Sequence, residues 1–158
     1  MWRLACIEKT DMQLTRAADY AIRVMIHLAS QPALTRASRA DLAAAAECPE
    51  QFLSKVLQSL TRAGLIVSHR GNTGGFELPA TPEPITVLRV VEAIEGPLRL
   101  NLCLTSDQAC PREGWCPAHN VWMEAQRAMT EVLRNATIQD LALRAQPPQQ
   151  LQPVGPWN

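Results

Sequence analysis

Three cysteines and a histidine fall within one short segment, Cys103, Cys110, Cys116 and His119, at the spacing C-x6-C-x5-C-x2-H. Thiolate ligands select zinc, Cu(I) and iron–sulfur clusters, and an imidazole can complete such a set. Structural zinc sites commonly use cysteine pairs two to four residues apart. The gaps here are longer, and they also differ from the common ferredoxin spacings. From spacing alone, zinc, a cluster and a metal-free thiol pair therefore all stay open. A fourth use is nucleophilic catalysis, with Cys116 as nucleophile and His119 as base. No glycine-rich substrate loop or orienting acid accompanies that pair, and three neighbouring cysteines favour a ligand set. Cys6 and Cys48 lie outside the segment, and Cys48 reads as a small packing residue.

The elements that must position this segment follow from hydrophobic periodicity. Leu14 to Ser30 reads as a helix, with Ala21, Val24, Met25 and Leu28 on one face and Pro32 beyond its end. Ser38 is the expected N-cap of a second helix, about Arg39 to Glu47. Cys48-Pro49 interrupts the chain, because proline disfavours helix in the residue before it. A third helix follows from about Pro49 to Ala63, with Phe52, Leu53, Val56, Leu57 and Leu60 as its buried stripe. Two strand-like runs then flank a glycine-rich tip, Arg70-Gly-Asn-Thr-Gly-Gly75, which predicts a β-hairpin. Helix, helix, turn, helix, hairpin is the order of a winged helix-turn-helix, which lays its third helix in the DNA major groove.

Beyond the linker Thr81-Pro-Glu-Pro84, a helix is expected over Val87 to Glu95, ended by Gly96-Pro97. Residues 98–117 read as irregular. A long helix runs from Ala118 to Asn135, and Val121, Ala125, Ala128, Val132 and Asn135 recur at 4-3-4-3 steps. That stripe, flanked by Trp122, Met129 and Leu133, suits a partner helix. Thr137 caps a last short helix to Arg144. The expected organisation is an N-terminal extension (1–11), a winged helix-turn-helix (12–80), a cluster loop with dimerisation helices (81–145) and a disordered tail (146–158), mainly α throughout.

The chain has 158 residues with zero net formal charge, so DNA affinity cannot rest on a global field. The distribution is uneven: residues 12–80 carry seven Lys/Arg against five Asp/Glu, and residues 81–158 carry six against eight. Placed arginines and helix ends must supply the attraction. On the face of the third helix opposite its stripe lie Gln51, Ser54, Lys55 and Gln58. Gln and Ser reach base edges, and Lys reaches guanine or phosphate. Arg70 enters the hairpin and Asn72 and Thr73 form its tip, where an arginine can enter the minor groove or pair with phosphate. Thr15, Arg16 and Arg39 are weaker phosphate candidates. The plainer reading of all these side chains is a solvated helix face and an ordinary loop. No apolar run approaches the roughly 18 residues of a membrane span. The first eleven residues are too short and polar for a signal peptide, so a cytoplasmic, reduced setting is expected.

Met12-Gln-Leu-Thr-Arg-Ala-Ala-Asp19-Tyr20-Ala-Ile-Arg23, the Arg70–Gly75 tip and the cysteine segment together resemble the Rrf-two family of bacterial transcription regulators, with its IscR-, NsrR- and RirA-like branches. The resemblance covers residues 12–144, with eleven residues preceding the usual start. It implies an iron–sulfur cluster held by Cys103, Cys110 and Cys116, with one extra residue in the first gap. In the IscR-like pattern His119 completes a 2Fe-2S site. In the NsrR-like pattern a carboxylate at the position of Asp19 reaches a 4Fe-4S cluster from the partner subunit. Both options are present, and each has a plain alternative: His119 as a capping histidine, Asp19 as an ion pair with Arg23 four residues on. The family pattern further implies a homodimer on a near-palindromic double-stranded operator, acting as a repressor. Its signal would be nitric oxide, redox state or iron–sulfur supply.

Overall fold

In the computed structural model the first helix, α1 (Arg16–Ser30), buries Ala18, Ala21, Val24, Met25 and Leu28, one stripe at steps of three and four. The structure describes residues 14–71, 74–80, 83–104, 112 and 114–145. The expected N-terminal extension 1–11 and the tail 146–158 lie outside them.

Helix α2 (Arg39–Ala46) begins at a capping box. The Ser38 hydroxyl accepts from the Asp41 N–H at 3.1 Å, and the Asp41 carboxylate accepts in turn from the Ser38 N–H at 3.1 Å. An alanine-rich helix of eight residues has little side-chain packing of its own. The reciprocal cap therefore fixes where it starts. Glu47 adopts a left-handed conformation and turns the chain into Cys48-Pro49. Helix α3 (Glu50–Arg62) follows, burying Leu53, Val56, Leu57 and Leu60.

Strands β1 (Val67–His69) and β2 (Gly75–Glu77) form an antiparallel hairpin with Ser68 opposite Phe76. Ala37 pairs with Phe76 on the outer side of β2, both backbone hydrogen bonds measuring 2.9 Å. A Cβ on Gly75 would stand 2.7 Å from the Ala37 carbonyl oxygen. Glycine is what lets this third segment close on the hairpin.

Helix α4 (Val87–Glu95) spans the expected residues, with the Thr86 hydroxyl accepting from the Arg89 N–H. Among its described residues, the segment expected to be irregular holds a 3₁₀ turn, Leu102–Leu104. Helix α5 (Pro117–Asn135) starts one residue earlier than expected, since proline is compatible with the first helical turn. Helix α6 (Ile138–Arg144) is capped by Thr137 as expected. It folds back onto α1, and an antiparallel bridge between Thr86 and Thr137 ties its start to that of α4. The Val87 N–H donates to the Ala136 carbonyl at 2.9 Å and the Ile138 N–H to the Ile85 carbonyl at 2.8 Å. One core thus joins α1, α3, α4 and α6, with Met25, Leu53, Leu57, Val90, Val91 and Ile138 at its centre. The fold is mainly helical with a two-stranded wing. Among the described residues no helix is long and apolar enough to cross a membrane.

Candidate nucleic-acid interface and cysteine loop

Helix α3 largely presents the face that its periodicity predicts. With Leu53, Val56, Leu57 and Leu60 turned into the core, Gln51, Lys55 and Gln58 are exposed and Ser54 is half-buried. Ser54 spends its hydroxyl proton on the Glu50 carbonyl at 3.1 Å, leaving its oxygen to accept. Phe52 departs from the expected buried stripe: it is 42% exposed. It lies at the edge of the α3 interface, where its ring meets Tyr20 edge-on, with centroids 5.8 Å apart. Together with Thr15, Arg16, Ala17 and Pro49, these rings line an open, mainly apolar groove of about 410 Å³ between the starts of α1 and α3.

Two of the three weaker phosphate candidates, Arg39 and Thr15, are engaged within the chain. Arg39 pairs with Glu50 at 3.5 Å, tying the start of α2 to the start of α3. The Thr15 N–H and hydroxyl both donate to Glu95 Oε1, at 3.0 and 2.6 Å. The last residue of α4 thus satisfies the first donors of α1, where a carboxylate is also favoured by the helix dipole. Arg16 is exposed.

In the wing, Arg70 is exposed directly after β1. Gly71 adopts φ +105°, a conformation that L side chains rarely take. Asn72 and Thr73 lie outside the described residues. On and beside the hairpin stand three side chains not singled out from the sequence: His69, Glu77 and Arg36. Glu77 Oε1 is 2.7 Å from His69 Nε2, and its Oε2 is 3.3 Å from Arg36 Nε. The hydrogen bond from His69, then Arg36, holds the Glu77 carboxyl below the usual glutamate range. The pairing of positions 69 and 77 across an eight-residue hairpin span was the available signal.

Of the cysteine segment, Cys103 lies half-buried on the 3₁₀ turn and Cys116 half-buried at the N-cap of α5, both as free thiols. His119 is buried in the first turn of α5, its N–H donating to the Cys116 carbonyl at 3.1 Å. Cys110 lies outside the described residues. The 3₁₀ turn packs against α5. Two further bonds hold this stretch: the Arg99 guanidinium donates to the Leu104 carbonyl at 2.7 Å, and the Leu100 N–H to Gln126 Oε1 at 3.1 Å. Before Cys116, the Trp115 and Cys116 N–H groups both donate to the Arg112 carbonyl, and the Arg112 guanidinium lies 5.4 Å from the Trp115 ring centre.

Asp19 stands elsewhere, exposed on α1 and paired with Arg23 at 2.9 Å, the i, i+4 alternative anticipated for it. Arg23 also reaches Glu47 at 3.4 Å and the Ala46 carbonyl at 3.3 Å. Among the described residues no three His, Cys, Asp or Glu side chains gather as a metal-holding group. Cys48 is a core residue, as expected, and burial pushes its thiol up.

Comparisons with known proteins agree with this architecture. A family model described as "Rrf2: Iron-dependent Transcriptional regulator" matches residues 14–144. Protein aau3 of Rhizobium meliloti is 36% identical over 138 residues, 86% of this chain and 88% of that protein. The HTH-type transcriptional regulator NsrR of Shouchella clausii is 34% identical over 133 residues, covering 84% and 89%. The solved structure of CymR, described as the global cysteine regulator of B. subtilis, superposes with a TM-score of 0.68 at 28% identity, covering 85% and 98%. A helix-turn-helix with its wing, followed by a cysteine-bearing loop and a long helix, and matched in sequence from end to end of the described region, places the chain in the Rrf2 family of DNA-binding transcriptional regulators, which are not enzymes.

Proposed function

We propose that the chain is an iron–sulfur cluster-dependent repressor that binds a near-palindromic operator as a homodimer. The observation that carries this reading is the C-x6-C-x5-C-x2-H loop between α4 and α5 of an Rrf2 regulator. The donor set fits such a group. Cys103 and Cys116 are free and half-buried, and His119 is buried on the same packed pair of elements. Soft thiolates with one nitrogen donor suit iron–sulfur chemistry. The N-terminal end of α5 also favours a negatively charged assembly. Cys103, Cys110 and Cys116 are the proposed ligands, with His119 or Asp19 of the partner subunit completing the set in a 2Fe-2S or 4Fe-4S site. Bound there, the cluster supplies an iron with an exchangeable ligand, open to nitric oxide, oxygen or loss of iron.

The protein's own residues supply the rest. Val121, Ala125, Ala128 and Val132 remain exposed along α5, an apolar stripe that suits pairing with a second copy. Two-fold pairing sets two α3 helices about one DNA turn apart, roughly 34–36 Å. Gln51, Ser54, Lys55 and Gln58 then face base edges, while Arg70 with Asn72 and Thr73 of the wing tip meets the neighbouring backbone. The route from loop to reading helix runs through Glu95: it ends α4, opens into the loop, and holds the first donors of α1. Arg23 of α1 in turn holds the end of α2. A loop that settles differently with and without its ligand shifts that tie, which couples the two sites only if the two conformers differ in affinity for the ligand.

The test is anaerobic purification with iron and sulfide analysis, followed by DNA binding of Cys110→Ala. Brown protein with stoichiometric iron and sulfide, and a variant whose binding no longer answers nitric oxide, are expected. A variant with unchanged affinity and unchanged nitric oxide response would refute cluster switching. A second reading is favoured by the two free thiols and the likeness to CymR: a thiol redox switch in the same loop. Iron-free protein that forms a reversible disulfide would select it, and stoichiometric zinc without sulfide would select a structural zinc site.

A further inference from the structure

The group formed by Glu77, His69 and Arg36 is used neither by the proposed DNA contacts nor by the cysteine loop. Glu77 uses both carboxylate oxygens, one on His69 Nε2 at 2.7 Å and one on Arg36 Nε at 3.3 Å. It is the most covered of the three, its side chain 13% exposed against 28% for His69 and 44% for Arg36. His69 and Glu77 are not direct cross-strand partners. In the register, His69 faces Gly75 and Val67 faces Glu77, so the contact is diagonal. A diagonal contact resists sliding of β1 against β2, because a one-residue slip turns one of the two side chains to the other face.

Arg36 adds the anchor outside the hairpin. It precedes Ala37, whose backbone pairs with Phe76 on β2. A hairpin of two three-residue strands is marginal by itself. This one is fixed to the segment that leads into α2 by two backbone bonds and one carboxylate. Arg70 follows His69 directly, so whatever orients His69 sets where Arg70 projects.

We propose that Glu77, gripping His69 and Arg36, is the positioning residue for DNA reading by the wing: it holds Arg70 at a fixed reach from α3. The proposal rests on the DNA-binding role of the wing given above. It predicts that Arg70 contributes to binding only while Glu77 holds the hairpin. That dependence is not expected if Glu77 merely adds to folding stability, where the two losses would multiply independently.

The experiment is a double-mutant cycle in the full chain, with Arg70→Ala, Glu77→Gln and the pair. Each protein is titrated into a fluorescein-labelled mixed-sequence duplex, read by anisotropy over a range of salt, with a thermal melt alongside. Arg70→Ala should weaken wild-type binding roughly five- to tenfold and lower the salt slope by about one. Glu77→Gln should weaken it by a similar factor. Arg70→Ala added to Glu77→Gln should then cost less than about twofold. An equal cost of Arg70→Ala in both backgrounds overturns the proposal, as does full affinity in Glu77→Gln. If Glu77→Gln melts early, His69→Gln takes its place in the cycle under the same criteria. A folded wild type that does not bind the duplex refutes the DNA-binding reading, and the wing proposal falls with it. Wild-type binding with an additive cycle refutes the wing proposal alone.

Discussion

Val132 offers a direct measure of the proposed pairing of α5. The residue is 69% exposed in the chain, on the same stripe as Val121 at 60%. Truncating Val132 to alanine removes two carbon groups, worth about 1.6 kcal/mol when taken fully from water to a packed interior. About two thirds of the residue is still uncovered before pairing, so about 1 kcal/mol per chain is at stake in the interface. Two-fold symmetry counts the loss twice, giving about 2 kcal/mol, or roughly a thirtyfold weaker dimer. Val132→Asp adds the cost of burying two unpaired carboxylates and should raise the dissociation constant by at least about a thousandfold. The folded chain itself should hardly notice either change, because an exposed site usually contributes within about 0.5 kcal/mol. Sedimentation equilibrium over a wide concentration range reads the dimer constant. Melts at a dilution where all variants are monomeric read the chain. A Val132→Asp protein that dimerises within about threefold of wild type would refute pairing through this stripe. So would a wild type that stays monomeric at tens of micromolar.

Ile138 is fully buried in the core where α6 packs on α1, so Ile138→Ala should cost about 2–5 kcal/mol in urea unfolding. A loss under about 1 kcal/mol would mean that α6 is not docked. The acid limb of stability should report the α2 cap. Hydrogen bonds from the Ser38 hydroxyl and N–H hold the Asp41 carboxyl below its ordinary 3.8. A depressed folded value stabilises above the unfolded one and loses that contribution as pH falls through it. Asp41→Asn should therefore melt below wild type near neutrality, with the gap closing below about pH 3.8. A gap that stays constant with pH would contradict this origin. Exchanging Thr15 for valine removes the hydroxyl bond to Glu95 and leaves the N–H bond. DNA affinity of the ligand-free protein should change more than its melting temperature, and the reverse order would argue against the Glu95 route.

The elements themselves were legible because each follows from local spacing. The stripe of α1, the Ser38 and Thr137 caps and the span Val87–Glu95 depend on residues within one or two turns, and the structure keeps all of them. Phe52 was misread for a related reason. Its position follows the apolar period of α3, but whether such a position is covered depends on where α1 lies, and the T-shaped contact with Tyr20 leaves it 42% exposed. The ligand-type residues were legible as residue types at a spacing. Which of them share a packed pair of elements was not.

The sequence by itself determined the order of the elements, the polar face that α3 leaves exposed, and a thiol-rich loop between two helices. Periodicity, capping chemistry and residue type are local properties, so the chain carries them without a partner. The tertiary structure alone decided the contacts between residues distant in sequence. Glu95 reaches back eighty positions to the start of α1, and Arg36 reaches forward forty-one to Glu77 at the base of the wing. Helix α6 returns to close the core over α1. Those choices depend on the packing of α1 against α4 and α6 and of the hairpin against Ala37, which no window of neighbouring residues encodes.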